Sequence, residues 1–312
     1  KPTPGPQDLL IKVAAISVNP VDAKIRSKRP ATVDEPQVIG WDAVGEVVAV
    51  GAKVQDFAVG DRVFYAGALD RPGSNAEYQL VDARIVGHAP ESLSDPEAAA
   101  LPLTAITAWE LLFDRLGVAE GSGAGQTLLV IGAAGGVGSI LVQLARQLTE
   151  LTVVGTAARE ESAEWAKELG AHHVIDHSKP MLAQLQALGI ESVELIASLT
   201  HTKDHYAQYI ECIAPQGKLG VIDDFDSIDI TQLKSKSASF HWEFMFARSL
   251  YQTADMAEQG VLLNRVAELL DASALRTTLG EHYGVINAAN LMRAHALLES
   301  GKARGKLVLE GF

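Results

Sequence analysis

Residues Thr127–Ala133 (TLLVIGA) form an apolar run that passes directly into AAGGVG (Ala133–Gly138). A helix-patterned stretch, SILVQLARQLT (Ser139–Thr149), follows at once. A strand that ends on a glycine-rich turn and opens a helix constrains the rest of the chain strongly. Gly135 lets the backbone approach a pyrophosphate, and Gly138 permits close packing of helix on strand. The helix N-terminus adds N–H donors and the positive end of its dipole. The first glycine of the usual G-x-G-x-x-G pattern is Ala133 here, and Gly132 and Gly136 do not restore it. The turn still reads as a dinucleotide site, with Ala134, Gly135, Gly136, Val137 and Gly138 as contacts, because it begins a series of strand–helix units.

That series continues through Leu151–Ala157, His172–His177, Val193–Leu199 and Gly217–Asp224, with a sixth strand at Ser237–Glu243. Helices are expected between them, notably Glu161–Gly170. Such alternation predicts an α/β fold with a doubly wound parallel sheet. The tip of the second strand selects the dinucleotide. An NAD site wants an acid there, about 20 residues after the turn, to bind the ribose 2′-hydroxyl. Thr156, Ala157 and Ala158 occupy that place and Arg159 follows. An arginine can pair with a 2′-phosphate through forked, charge-assisted hydrogen bonds. NADPH is therefore the expected cofactor, although Glu160 and Glu161 stand close enough to draw Arg159 away.

The first hundred residues differ in texture. Short apolar or alternating runs at Leu9–Val18, Ala43–Gly51, Asp61–Gly67 and Ala76–Asp82 are separated by turn residues, as in a small β-barrel-like domain. Two helical pieces are expected around Pro102. The last fifty residues hold two helical stretches and a closing strand, Gly305–Phe312, which is expected to return to the first domain. The balance of 26 basic against 39 acidic residues, −13 overall, disfavours nucleic acid and membrane surfaces as partners. With Cys212 as the one cysteine, neither an intramolecular disulfide nor a four-cysteine zinc site can form, in keeping with a cytoplasmic protein. No apolar run approaches the roughly 20 residues of a membrane span. Lys1 lies in a Pro-rich lead-in to a strand, and a preceding segment is expected.

SVNPVDAKIR (Ser17–Arg26), GWDAVGEVVAVG (Gly40–Gly51), LPLTAITAW (Leu101–Trp109), AAGGVG and GKARGKLVL (Gly301–Leu309) occur in an order that resembles the medium-chain dehydrogenases/reductases. In detail they resemble the quinone oxidoreductase, zeta-crystallin-like branch, whose members often carry the name zinc-type alcohol dehydrogenase-like. The resemblance spans essentially the whole chain. It implies a GroES-like β-barrel catalytic domain (1–105 and 264–312) around a Rossmann domain (106–263), and a homodimer. It also implies that Thr107 approaches the nicotinamide ribose. Arg159 and His177 would approach the 2′-phosphate, and Ser198, Ile222 and Asp223 would border the nicotinamide.

Zinc-dependent alcohol dehydrogenases of this superfamily carry Cys where this chain has Asn19, and His-Glu where it has Trp41-Asp42. No catalytic metal is expected. Without a Lewis acid, hydride must pass to an acceptor already electron-poor, such as a quinone or an α,β-unsaturated carbonyl, whose developing charge needs a few polar groups. Asn19, Asp22 and Lys24 are the candidates for that shell. Lys24 stands where a Tyr is frequent in the branch, so the proton donor is open. His241 and Trp242, in the most aromatic stretch, are candidates for the acceptor pocket; a core or subunit contact is the alternative. His201 and His205 stand four apart without a third ligand in view. A zinc alcohol dehydrogenase with atypical ligands and a non-catalytic NADPH-binding protein are the competing expectations.

Overall fold

The computed structural model describes residues 1–28, 31–32 and 34–312. Along the chain the elements are β1 (Asp8–Val18), α1 (Pro20–Lys28), β2 (Ala43–Val50), β3 (Arg62–Tyr65), β4 (Tyr78–Asp82), β5 (Val86–His88), α2 (Asp95–Ala99) and α3 (Pro102–Trp109). Next come β6 (Thr127–Ile131), α4 (Gly136–Leu148), β7 (Thr152–Thr156), α5 (Glu160–Glu168), β8 (His173–Ile175) and α6 (Met181–Ala187). They are followed by β9 (Val193–Ser198), α7 (Thr202–Cys212), β10 (Ile213–Val221) and β11 (Ser239–Trp242). The chain closes with α8 (Ala247–Leu250), α9 (Glu258–Asp271), β12 (Leu279–His282), α10 (Ala288–Glu299) and β13 (Lys306–Glu310).

The chain divides into two compact units, one of Lys1–Ile106 with Met245–Phe312 and one of Thr107–Phe244. In the first, a seven-stranded sheet runs β12-β13-β1-β2-β3-β5, with β4 also paired to β1. The closing strand returns as expected: β13 lies antiparallel to β1, with Ile16 opposite Leu309 and Val18 opposite Leu307. The core of this unit gathers Leu9, Ile11, Ile16, Val47, Tyr65 and Leu309. Pro102 opens α3, where its missing N–H costs nothing and its fixed φ suits a first helical turn.

The second unit carries a six-stranded sheet ordered β11-β10-β9-β6-β7-β8, parallel at every pairing. From β6 the chain runs outward to β7 and β8, and from β9 it runs outward the other way to β10 and β11, so the ends of β6 and β9 bound the crevice where open α/β sheets take ligands. Every residue of β6 is buried, which is why it reads as an unbroken apolar run.

Four local readings differ from the sequence. Residues 245–263, expected with the nucleotide domain, pack in the first unit. There the Cα of Gly260 faces the Arg84 and Val86 carbonyls so closely that a Cβ would stand 2.7 and 2.9 Å from them. Asn264 on the same helix accepts from the His88 N–H. Pro215-Gln216-Gly217 reads as a turn but lies inside β10, where Gln216 takes φ +64° and the register to β9 shifts. Helix α1 and strand β12 carry no periodicity that announces them. β12 has only four residues and forms against β13.

Candidate functional site: the nucleotide crevice and a buried polar cluster

The turn after β6 works without its usual first glycine. The positive φ falls on Gly132, at +81°, and Ala133 is not among the left-handed residues. The Ala133 methyl faces residue 155 of β7, where even one added carbon would stand 2.8 Å away, so Gly155 makes room for it. At Gly138 a Cβ would sit 2.3 Å from the Gly132 carbonyl, so no side chain fits. At Gly135 the nearest atom would be 3.4 Å away, and glycine is not demanded there by packing within the protein. Gly135 is the N-cap of α4, in extended backbone, and no side-chain cap covers the first N–H groups. These residues fit a pyrophosphate.

Thr156, at the tip of β7, is 1% exposed and turned inward. Its Oγ1 accepts from the Gly132 N–H at 3.1 Å and lies 3.2 Å from His177 Nδ1, and its carbonyl accepts from the Ala133 N–H. Thr156 therefore holds the turn. Arg159 is exposed at the N-cap of α5. His177 follows β8, and its ring meets that of His205 on α7 with centroids 5.5 Å apart. Burial holds both imidazoles below their ordinary value.

Ser198, at the end of β9, is fully buried. Its hydroxyl pairs with those of Thr202 at 2.7 Å and Tyr209 at 2.8 Å. Thr202 bonds through both N–H and hydroxyl to the Asp223 carboxylate, and the Ile222 N–H donates to the Ser198 carbonyl at 3.3 Å. One network thus joins the ends of β9 and β10 to α7. Sequence reasoning missed Thr202 and Tyr209; the spacing from Ser198 was visible, but the helix turning back under the strand was not. Thr107 is 5% exposed in α3. His241 lies on the edge strand β11, half-buried, its Nε2 2.8 Å from Ser239 Oγ. Trp242 is 51% exposed and stacks on Phe225.

The first unit brings Asn19, Asp22 and Asp42 together, each 1% exposed or less. The Asn19 amide donates to the Trp41 carbonyl and to Asp42 Oδ2, and its N–H donates to Asp22 at 2.6 Å. Asp42 also accepts from the Ser17 hydroxyl and the Leu103 N–H. Into this cluster comes Lys306 at the start of β13, 3% exposed. Its Nζ lies 2.6 Å from Asn19 Oδ1, 2.7 Å from the Val18 carbonyl and 3.2 Å from Asp42. Burial pushes Asp42 up, and the ammonium opposes this. Asp22 is raised to about 7 by burial, and its Oδ1 has no hydrogen-bond partner. Lys306 was missed, although it stands in the GKARGKLVL run. Lys24 is exposed on α1. Among the described residues no group of three His, Cys, Asp or Glu side chains could hold a metal ion. Nor is any helix among them long and apolar enough to cross a membrane.

A parallel six-stranded sheet with a glycine turn at its switch point, joined in one chain to an antiparallel-rich barrel-like sheet, defines the two-domain pyridine-nucleotide oxidoreductases. The chain belongs to the medium-chain dehydrogenase/reductase superfamily, among the zinc-type alcohol dehydrogenase-like proteins. Residues 5–91 match the alcohol dehydrogenase GroES-like domain, and residues 169–309 match the zinc-binding dehydrogenase family. A zinc-type alcohol dehydrogenase-like protein of Staphylococcus aureus is 41% identical over 99% of this chain and 92% of its own length. A solved Rhizobium etli protein, assigned to the zinc-dependent alcohol dehydrogenases, is 55% identical with TM-score 0.96, over 100% of this chain and 91% of that one. A quinone oxidoreductase of Pseudomonas syringae superposes with TM-score 0.83 at 26% identity, covering 100% and 93%. A mycobacterial protein complexed with NADPH does so with TM-score 0.82 at 29%, covering 99% and 93%.

Proposed function

We propose that this oxidoreductase uses NADPH to reduce a quinone or an α,β-unsaturated carbonyl and does so without a catalytic metal. The observation that carries the reading is the Lys306 ammonium seated between Asn19 and Asp42. Zinc-dependent relatives place ligands at the positions of Asn19, Trp41 and Asp42. Here the amide of Asn19 is spent on Trp41, Asp42 and Lys306, Trp41 supplies no ligand atom from its ring, and Asp42 already faces a cation. A second, divalent cation there would be repelled by the first. This donor set does not fit zinc.

The cofactor's chemistry is hydride donation from the nicotinamide. The turn at Gly132–Gly138 would bind its pyrophosphate, and Arg159 its 2′-phosphate. The Ser198–Thr202–Asp223 network would fix the strand ends that border the nicotinamide, and Thr107 would meet the ribose. With no Lewis acid, the acceptor must delocalise the incoming charge onto its own oxygen. Lys24, exposed on α1, would be the candidate donor to that oxygen. Asn19 and Asp22 would hold the loop that leads into α1, and His241 is a further candidate for contact with the acceptor. A cytoplasmic homodimer completes the reading, with the buried, unpaired Cys212 in keeping with a reducing compartment.

Steady-state NADPH oxidation with 1,2-naphthoquinone and simple enones, on protein assayed for zinc, tests this. Turnover with zinc well below one per chain is expected. Stoichiometric zinc with activity lost to a chelator would select the zinc-dependent alternative. Tight NADPH binding with no turnover on any acceptor would select the non-catalytic one.

A further inference from the structure

Two imidazoles stand side by side at the tip of β7 and β8. His177 is anchored through Nδ1 to Thr156 Oγ1 at 3.2 Å, which leaves Nε2 on the other edge of the ring. His205, one turn into α7, meets that ring edge-on at 5.5 Å and packs in turn against Tyr209 at 6.3 Å. Among the described residues neither forms an ion pair with a carboxylate. The adenosine 2′ substituent of a dinucleotide lies at the tip of the second strand of such a sheet, which here is Thr156. The pair is therefore a wall of the place where a 2′-phosphate would sit.

We infer that His177 and His205 form a proton-linked clamp on the 2′-phosphate. NADPH binding draws a proton from solvent onto the pair, and preference for NADPH over NADH strengthens as pH falls. The inference rests on the NADPH reading above and assigns His205 a role that the glycine turn and Arg159 do not require.

The charges facing the pair set the direction. His177 meets Asp176, which favours its protonation, and His201, which opposes it. His205 meets His177 and His201, which oppose, and Asp204 and Asp223, which favour. Burial is the largest influence on each and disfavours the cation, so without ligand both rings hold a proton less readily than an ordinary imidazole. A dianionic phosphate within about 4–6 Å reverses that balance and raises the affinity of the nearer ring for a proton. A shared proton suffices, because one imidazolium beside another is unfavourable. Arg159, charged throughout, would supply the part of phosphate binding that does not vary with pH.

Calorimetric titration of the full chain with NADPH and NADH, from pH 6.5 to 8.5 in buffers of different ionisation heat, tests the inference. The lower limit stays above the second phosphate ionisation, near about 6. For NADPH, proton uptake and a Kd that weakens up to about tenfold per pH unit are expected, with a flat profile for NADH. His177→Asn, which keeps a polar partner for Thr156, should abolish the uptake, and His205→Phe should diminish it. NADPH binding with a flat pH profile, or uptake unchanged in both variants, overturns the clamp and leaves the NADPH reading standing. No detectable NADPH binding at any pH overturns both.

Discussion

Lys306 Nζ donates to Oδ1 of Asn19 at 2.6 Å, with the two residues 3% and 1% exposed. The first residue of β13 thereby completes a loop that follows β1, across the antiparallel pairing of those strands. Removing the ammonium leaves Asp42 buried against fewer donors. Lys306→Met should lower stability by about 3–5 kcal/mol, measured by denaturant unfolding. Lys306→Met with Asp42→Asn should recover part of the loss, since no uncompensated charge remains. A double variant no more stable than the single one would count against the ion pair.

The two glycines of the turn should part company. Gly138→Ala places a carbon 2.3 Å from the Gly132 carbonyl, and overpacking of this kind costs about 1–3 kcal/mol. Gly135→Ala meets only an ordinary contact at 3.4 Å. Its unfolding midpoint should stay near that of the parent while NADPH affinity falls at least about tenfold, because the methyl stands where the pyrophosphate approaches. Thermal melts with and without NADPH separate the two outcomes.

Arg159→Glu should weaken NADPH far more than NADH. A hydrogen bond to a charged group contributes about 1.5–3 kcal/mol, so a loss of about tenfold or more is expected for the phosphorylated form alone. Equal losses for both cofactors, read by fluorescence titration, would show that Arg159 plays no part in the choice.

Glu243, after β11, shares a buried site with Glu110, and Arg115 reaches both. Burial, then the charge of Glu110, raises Glu243 to about 9 from an ordinary 4.5. The native state therefore holds a proton that the unfolded chain releases above 4.5. This group's contribution to stability is complete below 4.5 and declines as pH rises through about 9. Denaturant midpoints measured from pH 6 to 9.5 should fall, and Glu243→Gln should flatten that part of the slope. An unchanged slope in the variant would place the proton elsewhere.

Periodicity and turn chemistry are local, so they are legible in the order of residues alone. The β6 run, AAGGVG and α4 declare the nucleotide sheet, and the missing acid at Thr156 points to the cofactor. Ala133 looks like a defect in the sequence because its compensation, Gly155, lies on another strand. The first turns of helix α9 fall in the first unit rather than with the nucleotide sheet, and an amphipathic helix does not state which sheet its apolar face will cover.

By itself the sequence determined the strand–helix alternation of the nucleotide sheet, the glycine turn and the absence of the usual zinc-ligand types at 19 and 41. Only the tertiary structure decided that Lys306 joins Asn19 and Asp42, that His205 stands beside His177, and that Ser198 is tied to Asp223 through Thr202. Those contacts link residues from four to nearly three hundred positions apart. What brings them together is the burial of each sheet's apolar faces, which then obliges every polar group carried inside to find a partner.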